Sequence, residues 1–357
     1  MAKKKKENSI DPKPIEFEDT TEDENLNNFD EPSSKSSLVD EEKKKKEKYE
    51  KVSFLRRMRT SIILIFLGIF TGSGLGVWYY NNILRVNVDY ESLFEEAYKY
   101  ETDYDELFSR NFSLTNEDEY SNWKIVADAN NKTPLLLSPA DNFALAEWNA
   151  NHASTFAVVG HGKVLTLGVS QGIYSARKYD GTSYAFESIS SGVVSVVSTS
   201  VHKKGTNEIK MYNGSNVQGD TATWKYDSSL TYDEYIDAVG NTPYVVQPYI
   251  VSSKTITSSS EVTFDEENET YSFTLVLDNV LSVIRYARQV KKTGGLGSYP
   301  EFSKITQTIT IDKNWNFISI DVREEYSAVA FGMKVGCSGS LLNIFSFNGD
   351  VEMPVEE

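Results

Sequence analysis

Residues 309–326 read ITIDKNWNFISIDVREEY. Isoleucine, threonine and valine alternate with polar residues on both sides of the tetrapeptide 312–315. This alternation is typical of half-buried strands, because successive side chains on a strand point to opposite faces of a sheet. The polar tetrapeptide is typical of a turn. The stretch therefore predicts two antiparallel strands joined by a hairpin.

The same pattern continues on both sides of this stretch. After residue 154, alternating valine, threonine, serine and tyrosine are interrupted by glycines about every ten residues, which is typical of an antiparallel meander. The pair Asn213-Gly214 is a strong hairpin signal and predicts a turn between 208–212 and 216–224. Further strands are predicted over 244–256, 261–264, 271–277, 304–312, 317–326 and 329–347.

A few helices are predicted beside the strands. A stripe at three- and four-residue spacing predicts an amphipathic helix, which we expect to fold back on its own domain rather than to pair with a second copy. Its members are Tyr90, Leu93, Ala97, Tyr100, Tyr104 and Leu107. Ser138-Pro139-Ala140-Asp141 has the residues of a helix start, and Thr231 with Glu234 forms a capping-box pattern. A further helix is predicted over 280–291.

The predicted fold class is α+β. We expect a large curved antiparallel sheet, an unclosed β-barrel, with a few helices, preceded by one transmembrane helix and a disordered tail. The predicted domains are a disordered cytoplasmic tail (1–58), the transmembrane helix (59–84), a juxtamembrane helical region (85–137) and an extracytoplasmic β-rich domain (138–357).

The transmembrane prediction rests on residues 61–80, SIILIFLGIFTGSGLGVWYY. About twenty uncharged residues in a helix cross a hydrocarbon core of about 30 Å. Basic residues before the segment and aromatic residues at its far end predict a cytoplasmic N-terminus and an outer C-terminal domain. These interface anchors are Arg56, Arg57, Arg59, Trp78, Tyr79 and Tyr80. A cleaved signal peptide fits less well, because a long polar segment precedes the apolar run.

Gly68, Gly72 and Gly76 lie on one face of this predicted helix and form a small-residue stripe on which two helices can pack closely. Glycine is common in membrane helices, so a homodimer and a monomer both remain open. The tail before the segment has blocks of acidic and basic residues. These predict either solvated chain or a docking segment for a cytoplasmic partner, with the basic block against the inner leaflet.

Charge and cysteine content limit the remaining alternatives. The net charge is −16, and basic and acidic residues balance in 1–60, so the acidic excess lies beyond the predicted span. An acidic domain repels phosphate backbones, and we expect no nucleic acid partner. The single cysteine, Cys337, cannot form an internal disulfide. Localisation at a bacterial cell membrane, with the large domain extracellular or periplasmic, fits this composition best.

Catalytic and metal signatures are weak. The spacing of His152, His161 and His202 matches no zinc pattern. Glu324 and Glu325 are adjacent, so on a strand they point to opposite faces and cannot act as an acid and base pair. The turn at 312–316 lacks the glycine and the glutamate of a calcium loop. The sequence therefore predicts no catalytic residue, no cofactor and no metal site, and we expect the protein not to be an enzyme.

The order of elements carries a resemblance. PADNFALAEWNANHAS (139–154), TFAVVGHGKVLTLG (155–168), a meander, a short helix before a Thr-Pro strand, a helix over 280–291 and the run 309–326 follow one another. Over about 138–347 this order resembles the LolA-type and mycobacterial LppX-type lipoprotein carriers. The resemblance implies an unclosed β-barrel whose apolar cavity holds an acyl chain or a hydrophobic peptide. The predicted transmembrane helix and tail depart from that family.

Three hypotheses for function follow, of which the third, a surface hydrolase, requires convergent carboxylates in a cleft. The first is a membrane-anchored extracytoplasmic binding module for a lipid, a lipoprotein or an envelope peptide, which predicts a deep apolar cavity. The second is a non-catalytic structural or interaction protein of the cell envelope. It predicts a core closed by its own side chains and an exposed apolar patch on the helix that begins at Tyr90.

Overall fold

The computed structural model describes residues 75–77, 88–191, 196–330 and 333–355. The chain divides into two units, Met1–Ser73 and Gly74–Glu357, of which the first lies outside the described residues. The helices are α1 (Tyr90–Glu95), α2 (Tyr104–Phe112), α3 (Glu117–Tyr120), α4 (Trp123–Ala129), α5 (Pro139–Asn151), α6 (Tyr232–Val239) and α7 (Ile284–Thr293), with 3₁₀ turns at Ala97–Tyr100, Pro134–Leu136 and Leu281–Val283.

The strands form one sheet of twelve. They are β1 (Phe156–Thr166), β2 (Val169–Tyr179), β3 (Ser183–Ser191), β4 (Val196–Lys203), β5 (Ile209–Gln218), β6 (Thr221–Leu230), β7 (Ile256–Ser259), β8 (Thr263–Asp265), β9 (Thr270–Leu277), β10 (Glu301–Ile311), β11 (Phe317–Ala330) and β12 (Met333–Phe347).

The sheet order is β6-β5-β4-β3-β2-β1-β12-β11-β10-β9-β7, with β8 also paired to β9. Every described pair is antiparallel, and the described strands at the two ends of the order, β6 and β7, do not pair with each other. The prediction of a large antiparallel, unclosed sheet with a few helices is confirmed. Pairing of β1 with β12 joins an N-terminal meander, β1–β6, to a C-terminal one, β9–β12.

The prediction of one continuous helix over the stripe from Tyr90 to Leu107 is wrong. The structure has two helices separated by a 3₁₀ turn, because each helix has its own N-cap. The Asp89 side chain accepts from the backbone N–H of Ser92, and the Asp103 side chain accepts from the backbone N–H of Glu106. An aspartate at an N-cap starts a new helix and competes with continuation of the preceding one. Both helices fold back on their own domain.

The helix starts at Ser138 and Thr231 are as predicted, whereas the helix predicted over 280–291 is a 3₁₀ turn (Leu281–Val283) followed by α7, which begins at Ile284. The Ser138 hydroxyl accepts from the backbone N–H of Asp141, and Thr231 with Glu234 forms a complete capping box. Gly240 ends α6 at φ 84°, and an added Cβ there would lie 2.6 Å from the carbonyl carbon of Arg288. Only glycine fits this position, because it tolerates both the positive φ and the close approach of α7.

Two strand-level predictions are wrong. Asn213-Gly214 does not form a turn; it lies inside β5, and the chain reverses at Gly219-Asp220. Gly214 is needed there because an added Cβ would overlap Cγ1 of Val197 and would lie 2.8 Å from Cζ3 of Trp224. Residues 244–255 are not a strand but an irregular buried segment, since Pro248 cannot donate to a sheet ladder.

The two faces of the sheet differ. The helical face packs against the helices: Phe317 contacts Phe143 of α5, and Phe302 contacts Tyr286 of α7. Most of the buried apolar residues form one cluster on this side. On the opposite face, called here the open face, none of the described helices covers β10, β11, β12 and β1.

The predicted membrane span is not tested. None of the described helices is long and apolar enough to cross a membrane, but most of 61–80 lies outside the described residues. The disordered tail and the anchors at 56–59 and 78–80 lie outside them as well. Only residues 75–77 of the segment are described, and they are helical and exposed.

Candidate functional site

A cavity of about 660 Å³ lies on the open face. It lies across four neighbouring strands, β10, β11, β12 and β1. Its open-face side chains are His161, Lys163, Lys304, Thr306, Asp321, Arg323, Glu325, Ser338, Ser340 and Leu342.

The strand register explains why these side chains meet. Arg323 lies opposite Ser340, and Ser340 lies opposite Lys163, so the three point to the same face in one row across the sheet. One step along the strands, Glu325 lies opposite both Lys304 and Ser338. In an antiparallel sheet, directly opposed residues share a face. Residues far apart in sequence are therefore brought together by pairing alone.

Charge in this cavity is incompletely paired. The Arg323 guanidinium donates to the Asp321 carboxylate, with Nη2 3.0 Å from Oδ2. Within the described part of the chain, Lys163 and Lys304 form no ion pair. Two free ammonium groups therefore face the cavity of a chain whose net charge is −16. This arrangement favours an anionic group in the cavity.

A second cavity of about 670 Å³ adjoins the first and shares Glu325 and Ser338 with it. It extends to Leu165, Leu167 and Gly168 at the end of β1. We call the two cavities together the groove. It follows the strands from Leu342 to the turn between β1 and β2, so it suits an elongated ligand with both polar and apolar parts.

The helical face is filled by its own side chains. Phe108, Leu145, Leu275 and Ile284 are fully buried in a continuous cluster. Both cavities of the groove lie on the other face, and their lining is partly charged, whereas the carrier resemblance implies an apolar cavity. The structural hypothesis predicts an exposed apolar patch on the helix that begins at Tyr90. This prediction is wrong, because Tyr90, Ala97 and Leu107 are buried.

A buried carboxyl group lies under the groove, on the helical face. The Tyr249 hydroxyl donates to Glu324 over 2.7 Å and the Tyr286 hydroxyl over 3.0 Å. Burial raises the pKa of Glu324 to about 6, although both tyrosine hydrogen bonds oppose the rise. Glu325 points into the groove. The two glutamates therefore lie on opposite faces, as the alternation predicts.

The three histidines lie apart. His152 stacks on Trp148 beside a third cavity of about 660 Å³ among α3, α4 and α5; His161 faces the groove; His202 is buried with Nε2 2.9 Å from the carbonyl oxygen of Thr206. Among the described residues no three metal-ligating side chains converge. Cys337 is a half-buried thiol that accepts from the Thr166 hydroxyl.

The predicted transmembrane packing face stays a prediction. Gly68 and Gly72 lie outside the described residues, and Gly76 is exposed, with no neighbour within 4 Å of an added Cβ.

Sequence reasoning missed the groove residues Lys163, Lys304 and Arg323. Each is isolated from other lysines and arginines in the sequence. The only signal that groups them is the register of β10, β11, β12 and β1, and the non-local pairing of β1 with β12 cannot be read from local patterns.

No protein-family model and no curated protein sequence matches this chain. Among solved structures, lipoprotein LppX of Mycobacterium tuberculosis is similar over 61% of this chain and 97% of its own, at 12% identity and a TM-score of 0.29. A DUF1329 family protein from Desulfovibrio piger is similar over 60% of this chain and 96% of its own, at 8% identity and a TM-score of 0.23. The first likeness agrees with the LppX-type resemblance of the sequence. TM-scores this low indicate neither the ligand nor the binding residues of this chain.

Proposed function

We propose that this chain is a non-catalytic binding module of the bacterial cell envelope that takes an elongated ligand in the groove on the open face. The ligand classes are those that the sequence suggests: a lipid, a lipoprotein or an envelope peptide. The predicted helix over 61–80 would anchor the module in the membrane, with its N-terminal tail in the cytoplasm.

The observation that carries this proposal is the groove with its unpaired cations. Lys163 and Lys304 are exposed on either side of Arg323, in a cavity large enough for part of a lipid or a short peptide segment. Lys163 and Lys304 take part in none of the ion pairs of the described residues, so they add little to the stability of the fold, which favours a binding role. The exposed apolar side chains Leu342 and Leu165 lie along the same groove and suit the apolar part of such a ligand.

A second function, an interaction protein without a small ligand, is favoured by one observation. The helical face is closed by the protein's own side chains. In that case the groove would receive a segment of another envelope protein rather than a lipid.

Native mass spectrometry of the full chain, purified from membranes in a mild detergent, tests the proposal. Ser338 is exposed and lines both cavities, so Ser338→Trp should block the groove. Ser346→Trp is the matched control, because Ser346 is exposed on the same strand and face but lies outside the groove. We expect a bound species in the parent chain and in Ser346→Trp, and its loss in Ser338→Trp. A species retained equally by both variants would place the ligand elsewhere.

A further inference from the structure

Four large apolar side chains are exposed together at one end of the sheet. Leu165, Leu167 and Val169 lie in and beside the turn between β1 and β2, and Met333 begins β12. Leu167 is 68% exposed and Met333 53% exposed. Such a cluster is not explained by packing within the described residues, whereas single exposed apolar residues would need no explanation.

The register places the two hairpin ends side by side. Thr166, the last residue of β1, lies opposite Cys337 of β12. The hairpin of β11 and β12 continues past this point until Ala330 lies opposite Met333. At about 3.3 Å per residue, this hairpin reaches roughly 10 Å beyond the turn that holds Leu167. The apolar end therefore consists of two adjacent protruding tips.

The backbone of the shorter tip is unusual for its sequence. Leu167 has φ 51° and Gly168 has φ 78°, and Thr166 pairs with Val169. A two-residue turn with positive φ at both positions favours asparagine or aspartate followed by glycine. Leucine is disfavoured there because its Cβ crowds the backbone. A leucine at position 167 is therefore stabilised neither by its backbone conformation nor by burial in the fold.

The start of the domain lies at the same end of the sheet. The ring of Tyr90 lies 5.0 Å from that of Tyr299, two residues before β10 begins at Glu301. Glu301 lies opposite Ser327, close to the hairpin of β11 and β12. Residue 80, the end of the predicted membrane span, precedes Tyr90 by ten residues. An extended chain of that length reaches at most about 35 Å. The apolar tips are therefore at the end of the sheet where Tyr90, near the start of the described domain, is packed.

We propose that these two hairpin tips dock on the lipid bilayer that holds the chain, with Leu165, Leu167, Val169 and Met333 in the interfacial region. Transfer of exposed apolar side chains out of water is favourable and compensates for the disfavoured turn. The contact is apolar rather than electrostatic, since the net charge of the chain is −16 and anionic headgroups repel it. Leu165 and Leu167 also line the second cavity of the groove, but the docking requires no ligand there.

Site-specific fluorescence quenching tests it. The full chain, with Cys337→Ser to remove the native thiol, receives one cysteine by Leu167→Cys, is labelled with a fluorophore and is reconstituted into vesicles whose acyl chains carry bromine. Lys313→Cys is the matched control, because Lys313 is exposed in the turn between β10 and β11, at the opposite end of β11. We expect the label at 167 to be quenched several times more strongly than the label at 313.

The same quenching should persist in vesicles of zwitterionic lipid and at high salt, because no cation-to-headgroup attraction is involved. Equal quenching at 167 and 313 would overturn the proposal. A second variant distinguishes loss of bilayer contact from loss of folding. With the label at Met333→Cys, Leu167→Asn should reduce quenching. The thermal unfolding transition should stay unchanged, since asparagine tolerates positive φ. Unchanged quenching in that variant would also contradict the docking of both tips.

Discussion

The Asp220 carboxylate lies 3.7 Å from Nδ1 of His161, although β2, β3 and β4 separate β1 from β5 in the sheet. Asp220 is in the turn that follows β5, and His161 is in the middle of β1. At about 4.8 Å between neighbouring strands, a flat sheet would hold these residues roughly 19 Å apart. The N-terminal meander therefore curls over the open face, which encloses Ala176, Ile189 and Val201.

The apolar residues under this curl, and not the ion pair, should hold it. Both members of the His161–Asp220 pair are about half exposed, so Asp220→Asn should cost less than about 1 kcal/mol. Val201 is 2% exposed, and Val201→Ala should cost about 2–3 kcal/mol through lost burial and a cavity. Denaturant unfolding of both variants measures this difference. Equal losses would mean that the exposed pair fixes the curl.

Gly214 should be intolerant of a side chain. An added Cβ would meet the Trp224 ring at 2.8 Å and would lie closer still to Val197. Overpacking of this kind costs about 1–3 kcal/mol, so Gly214→Ala should lower the free energy of unfolding by that amount. Gly172→Ala in β2 is the control, because a Cβ there meets nothing within 4 Å. We expect no loss in the control, and a neutral Gly214→Ala would show that Val197 and Trp224 do not pack this closely against Gly214.

Alanine substitution of two lysines on the open face should change the free energy of unfolding by different amounts. The Lys178 ammonium lies 2.7 Å from the Glu187 carboxylate, and both groups are largely buried under the curl. Lys178→Ala leaves that carboxylate unpaired, which should cost about 3 kcal/mol. Lys163→Ala removes an exposed, unpaired cation of the groove and should change stability by less than about 0.5 kcal/mol. A large loss for Lys163→Ala in thermal unfolding would assign that residue to the fold instead of the ligand site.

Stability should fall as the pH rises toward neutrality. Burial raises the pKa of Glu147 from 4.5 to about 7, against the opposing effect of Arg285. The folded state then binds more protons than the unfolded state between these values, so raising the pH across this range destabilises the fold, by about 2 kcal/mol or less. Glu147→Gln should flatten this dependence in pH-resolved denaturant unfolding, and the exposed Glu106→Gln should not. An unchanged slope in Glu147→Gln would contradict the assignment.

Local patterns predict the strands and helix starts well, because they depend on neighbouring residues. Ser138 and Thr231 are recognisable caps, and the run from 309 to 326 alternates with little interruption. Asn213-Gly214 misleads, because the close packing of Val197 and Trp224, not a turn preference, explains its glycine. The groove depends on the pairing of β1 with β12, two strands separated by most of the domain. Only long-range register brings Lys163 beside Arg323.

Photo-crosslinking in living cells tests the groove most directly. A photoreactive amino acid in place of Ser340, between Lys163 and Arg323, is compared with the same residue in place of Ser346 on the same strand and face. We predict a discrete adduct of one lipid, lipoprotein or peptide at 340 and none at 346. No adduct at 340, or the same adducts at both positions, would contradict a ligand site in the groove.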